Sequence, residues 1–444
     1  MRSSLNKTKL SFLDIRFINI ITAIVYIISY RMVYENYLVV YQSYSYPYQI
    51  NNNDSYSIWI TNILAFAPVL LYRGKKISDI ISIFLYVMVY VPTIIGLQYY
   101  YKNYDFVLPF QLAYFFAITI FFLASRNRLS CQTLNNAKHS INNKSFILFA
   151  VFDILLVVIV FHSRMRLVSF FDVYDLRAEF AQDNNLRIPF IGHLFMWMHS
   201  ICTLLIAIGC YKKNKGILAL GFLMSLVYYM SNAMKSVLFA AIAAYGLYYL
   251  IKKGWIKILF PLLITPLIIA YLLVASIGNE SINMGVSILL NRTYSISAGL
   301  IPLYIDTFQK YPFTYYSHIG IVNSFTGMYP FGNRALGTAV CEISAGVTSM
   351  ANTNFLVMDG YAALGLPGIF FISIVIYFLL SYINKVTNRF AFCFVVSSMM
   401  GAIMEMSNMS IFTTLLSAGL LFLIVYYRFV NTADQSYKPH KKIN

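Results

Sequence analysis

Arg177, Arg187, Arg292 and Arg334 have the side chains of this chain best suited to binding an anion. A guanidinium stays charged and presents a planar fork of donors that matches phosphate oxygens. The four stand in two long polar segments, 163–190 and 276–352, of an otherwise apolar chain. From one side of a membrane they can together hold a diphosphate. For the first pair, the competing reading is local pairing with Asp172, Asp175, Glu179 and Asp183. Lys235 lies in a polar break, SNAMKS (231–236), where it either binds a phosphate at the membrane edge or snorkels to the headgroups. Asn352, Asn354, Asp359 and Tyr361 follow closely on one another, and amide and carboxyl groups suit sugar hydroxyls, which need paired donors and acceptors. Asp359 is a candidate general base if it faces into a bundle; otherwise it caps or packs the start of a span. His318, the sole histidine of 276–352, competes for that role. No Ser-His-Asp order, Walker loop or metal-ligand spacing is present, and the five cysteines are scattered singly. The lack of a DxD motif argues against a cytoplasmic, metal-dependent sugar-nucleotide transferase.

Membrane spans must position these groups. Hydrophobic residues make up 59% of the 444-residue chain and charged residues 11%, where a soluble domain carries about 25% charged. Apolar runs of about 20 residues, the length that crosses the hydrocarbon core, recur along the whole sequence. They predict an all-α polytopic integral membrane protein of about twelve transmembrane helices forming one transmembrane domain over 1–444. The predicted spans are 17–34, 57–72, 78–97, 107–125, 145–162, 191–211, 216–231, 235–251, 258–275, 353–380, 390–407 and 411–427. The first run lacks a small-residue cleavage site and reads as a retained span. Asp153 and Glu405 fall inside spans, where pairing or hydrogen bonding between helices is the expected role.

The net charge of +17 does not point to nucleic acid. With the N-terminus inside, the basic residues gather in alternate loops (Arg73, Lys75 and Lys76; Lys212, Lys213 and Lys215; Lys252, Lys253 and Lys257), as the positive-inside rule requires. Both termini are then cytoplasmic, and 163–190 and 276–352 lie outside.

This layout, with NRTYSISAG (291–299) and NTNFLVMDGYAALGLPG (352–368), resembles the O-antigen and capsule repeat-unit polymerases of the Wzy family. The resemblance implies a metal-independent glycosyltransferase, without cofactor, in the bacterial inner membrane. It would join undecaprenyl-diphosphate-linked oligosaccharides into O-antigen or capsular polysaccharide. The growing glycan moves en bloc onto the next unit, with undecaprenyl diphosphate as leaving group. Arg292, Asp359 and His318 would be catalytic; Arg177, Arg187, Lys235, Arg334, Asn352, Asn354 and Tyr361 would bind substrate. A chain-length regulator and a flippase of the same pathway are the implied partners. Two other readings share the layout. An O-antigen ligase uses the same donor, and a lipid-linked oligosaccharide flippase has about as many spans but short loops and repeated halves.

Overall fold

A computed structural model of the chain describes residues 2–42, 47–51, 54–127, 140–141, 144–168, 191–277, 279–430 and 432–433. These residues are helical apart from connections and one two-residue antiparallel bridge, Ser140–Ile141 with Thr432–Ala433. In a bilayer every backbone polar group must be satisfied within the chain, and helices do this segment by segment. Among the described residues, eight helices are long and apolar enough to cross a membrane: Ile15–Tyr41, Ile77–Tyr100, Tyr104–Arg126, Lys144–Phe161, Gly192–Lys212, Lys235–Lys252, Trp255–Leu272 and Leu366–Thr387. The protein is therefore a multi-pass membrane protein.

Of the other predicted spans, 216–231 lies in an unbroken 18-residue helix, Lys215–Asn232, that is less apolar, with Lys215 and Asn232 at its ends. The rest are shorter or interrupted, for local reasons. The run at 57–72 leaves the α-helix at Phe66 for a 3-10 turn begun by Ala67 and Pro68, and Phe392–Met406 has only 15 residues. The run at 411–427 is split into Ile411–Leu416 and Leu420–Phe429 by Gly419, whose φ of 80° lies in the left-handed region. A composition window registers apolarity but not these breaks.

The chain divides into two compact units. The first comprises Met1–Arg128, Gly254–Tyr382 and Met406–Ile411; the second comprises Leu129–Lys253, Ile383–Glu405 and Phe412–Asn444.

In the first unit the Ile77–Tyr100 helix is almost wholly buried and forms the core. The segment expected as an outside loop, 276–352, packs against it with its first half. Glu280–Leu290, Asn291–Ser295 and Ile296–Phe308 follow one another as continuous helical structure. Ser297, Ala298, Leu300, Ile301, Tyr304 and Ile305 are buried. The approach to the core helix is close enough that a Cβ on Gly96 would sit 2.6 Å from that of Ala298. Small residues at such a crossing let backbones meet where no hydrophobic force drives helices together. Only 309–352 is loop-like, with short helices at Gly320–Thr326 and Leu336–Ala345.

Among the described residues, four π-helical stretches interrupt this unit: Tyr34–Leu38, Tyr86–Tyr90, Asn291–Ser295 and Leu356–Tyr361. Such bulges re-aim side chains and often mark functional sites.

In the second unit, Ile191–Lys212 is the buried centre, packed against Lys144–Phe161, Lys215–Asn232 and Lys235–Lys252. Its core includes Phe161, Phe195, Met198, Cys202 and Tyr228.

Candidate functional site

In the first unit the chain returns from the 309–352 segment through 351–354 into the π-helical turn Leu356–Tyr361. Asn354 caps that turn: its side-chain oxygen accepts from the N–H groups of Leu356 at 2.9 Å and Val357 at 3.3 Å, while its amide donates to Thr353 Oγ1 at 3.2 Å. Gly365, at φ 69°, then reverses the chain into Leu366–Thr387. Gly368 packs so tightly that a Cβ there would lie 2.1 Å from Gly360 O. Asp359 is thereby fixed at the centre of the turn and fully buried.

Its carboxylate has three protein donors. His318 Nε2 lies 3.2 Å from Oδ1, the Ser410 hydroxyl donates to Oδ1 at 2.7 Å, and the Ile411 N–H donates to Oδ2 at 2.6 Å. The other ring nitrogen of His318 lies 2.8 Å from Thr314 Oγ1. Thr314 in turn donates to Ala362 O through both its N–H, at 2.8 Å, and its hydroxyl, at 3.1 Å. The imidazole is nearly buried, with 5% of its side chain exposed.

The two residues weighed separately as bases, His318 and Asp359, are thus one hydrogen-bonded pair. A base needs a lone pair open toward its substrate, and here both imidazole nitrogens are engaged by protein. Thr314, His318 and Asp359 have the order of a nucleophile–base–carboxylate triad, but Thr314 is fully buried. The arrangement fastens the 311–319 stretch to the re-entry turn. Beside it, burial and the Asp359 charge push the Tyr316 phenol up to about 12.

Arg292 stands on the π-bulge Asn291–Ser295. Its neighbours Asn291, Tyr294 and Ser295 are buried, whereas Arg292 is exposed. Tyr48 holds the bulge, donating to Asn291 Oδ1 and lying 3.0 Å from Ser295 O. The π-helical turn leaves Arg292 and Thr293 exposed between the buried Asn291 and Tyr294.

Arg334 is half exposed and pairs with Glu342 at 2.9 Å. Asn352 is exposed. Tyr361 is buried in an aromatic cluster with Phe110, Phe308 and Phe313. The void beside Asn354, lined by Leu85, Tyr90, Tyr114 and Phe121, has room for about one water. It cannot take a sugar. Lys235 belongs to the second unit, half-buried at the start of its helix. Arg177 and Arg187 lie outside the described residues.

Two polar clusters were missed in the sequence. Arg31, within the first span, donates to Asn62 at 2.9 Å, Tyr99 at 3.0 Å and Gln98 at 2.8 Å, and Tyr99 donates to Glu35. Asp306 accepts from Tyr100 at 3.1 Å and Tyr101 at 2.7 Å. The signal for the first was present: Arg31 and Glu35 are one helical turn apart, a spacing at which opposite charges meet. Among the described residues no group of three His, Cys, Asp or Glu side chains is placed to hold a metal ion.

No protein-family model matches the chain, and neither a characterised protein nor a solved structure shows a significant match.

Proposed function

We propose that the protein is a repeat-unit polymerase: it transfers a glycan from a polyprenyl diphosphate carrier onto a hydroxyl of the next lipid-linked unit, at the outer face of the bacterial inner membrane. Arg292 carries this reading, as an exposed arginine on a π-bulge whose residues Asn291, Tyr294 and Ser295 are buried. In the transfer, the bond from the anomeric carbon to the carrier's phosphate oxygen breaks and the bond to the acceptor oxygen forms. Negative charge collects on the departing diphosphate. A fixed cation there lowers the barrier where charge develops, an effect commonly of about 3–4 kcal/mol for one well-placed group. Arg334 adds a second cation on the same segment, and exposed Asn352 offers donor and acceptor to sugar hydroxyls. The acceptor proton passes to the departing diphosphate, itself a base. His318 and Asp359 fasten the 311–319 stretch to the re-entry turn.

The test is a purified assay with lipid-linked repeat units. Polymer should form in the presence of EDTA and fail with Arg292→Ala. Activity abolished by chelator, or unchanged in the variant, would refute the reading.

One observation favours a carrier such as the flippase as the second reading: ionisable groups are buried among the spans of the second unit.

A further inference from the structure

Among the described residues, three acidic or imidazole side chains are buried in the second unit: Asp153, His199 and Glu405. They come from three helices, Lys144–Phe161, Ile191–Lys212 and Phe392–Met406. His199 Nδ1 and Glu405 Oε1 are 3.0 Å apart, with 2% and 4% of the side chains exposed. The meeting is built into the helix crossing: a Cβ on Gly401 would lie 2.6 Å from His199 O, so glycine there lets Glu405, one turn on, reach the imidazole. Ser236, from the SNAMKS break, donates to Glu405 at 3.5 Å. The Tyr228 ring lies nearly parallel to the imidazole, with centroids 6.4 Å apart. Tyr228 is also within electrostatic reach of both Glu405 and Asp153.

A structural ion pair would need only His199 and Glu405. Yet among the described residues both oxygens of Asp153 and Nε2 of His199 have no protein partner, and both residues are at least 98% buried. Each buried polar group left unpaired costs about 1–3 kcal/mol, and charged groups inside spans persist where they serve a path or a relay. The open positions are two acceptors and one nitrogen that can do either, and water satisfies both kinds. The surroundings (Phe195, Met198, Val227 and Tyr228) are too apolar for a large ligand.

We propose that the buried His199–Glu405 pair, together with Asp153, forms a hydrated proton-binding site inside the second unit. With both carboxyls ionised and the imidazole neutral, the trio carries two negative charges, and it becomes neutral when two protons bind. Among the described residues, Lys235 at the start of the adjoining helix, the Tyr228 phenol and the Cys202 thiol are the other titratable groups around it. Proton exchange within the spans is what a proton-driven carrier step requires, and the glycan chemistry of the first unit neither uses nor explains it.

The experiment is infrared pH-difference spectroscopy on the purified full-length protein in lipid nanodiscs. Acidification should bring up the carbonyl stretch of a protonated carboxylic acid, shifted in heavy water. Asp153→Asn and Glu405→Gln should each remove part of that band, and His199→Gln should move the pH at which it appears. A wild-type difference spectrum without such a band, or one unchanged in all three variants, would overturn the proposal. The wild-type spectrum decides even if a variant fails to fold.

Discussion

At the scale of single residues, what separates one role from another is whether hydrogen-bonding capacity is already spent. Asp359 accepts from His318, Ser410 and Ile411, and His318 is engaged at both ring nitrogens. His318→Gln keeps a donor for Asp359, so activity in the polymer assay should stay within about tenfold of wild type; loss of a general base costs about 10²–10⁴. His318→Ala leaves a buried carboxylate short of one donor and should lower stability by about 1–3 kcal/mol, read as a fall in thermal midpoint. Arg334 pairs with Glu342 in solvent, and such pairs contribute about 0–1 kcal/mol. Arg334→Ala should therefore leave the thermal midpoint almost unchanged, so polymer lost in that variant reports lost substrate binding and not lost fold.

Asp359, Asn354 and His318 could be picked out of the sequence because polar groups are costly near spans. Their partners could not. Asn354 and Asp359 are five residues apart, yet one caps a backbone turn and the other anchors a segment 41 residues upstream. Long-range pairing of that kind leaves no local pattern. The first span's tyrosines do leave one: Tyr26, Tyr30 and Tyr34 repeat at one-turn spacing and form a buried ladder of mutually tilted rings. Compositional bias hid that repeat.

At the scale of elements, hydropathy located helices well but misjudged those that carry polar residues on a buried face. Ile296–Phe308 includes Ser297, Tyr304, Asp306 and Thr307, which lowers its apolarity, yet it packs against the core helix. Cysteine accessibility checks this directly. In a cysteine-free background, Ser324→Cys should react with a membrane-impermeant maleimide, whereas Ser297→Cys should not react even after permeabilisation. Labelling at Ser297→Cys would return the whole 276–352 segment to the solvent. The re-entry turn is similarly exacting. A methyl on Gly368 meets Gly360 O at 2.1 Å, a backbone clash that cannot be relieved by a rotamer, and overpacking of this order costs about 1–3 kcal/mol or more. Gly368→Ala should lower the thermal midpoint and, by displacing the turn that carries Asp359, abolish polymer formation.

At the scale of the whole molecule, composition was enough to indicate a helical membrane protein, and the described residues include eight helices that can cross a bilayer. The division into two units was not legible, because the second unit gathers residues from three separate stretches of chain. The polymerase reading places an exposed cation, a fastened loop and a re-entrant turn in the first unit, and it treats the basic loops as a record of orientation. The most direct test is the lipopolysaccharide or capsule ladder of a deletion strain complemented with wild type or Arg292→Ala. The account predicts a single repeat unit on the core without the protein, a full ladder with wild type, and no ladder with the variant. Loss of all O-antigen in the deletion strain, or a ladder that persists without the protein, would contradict it.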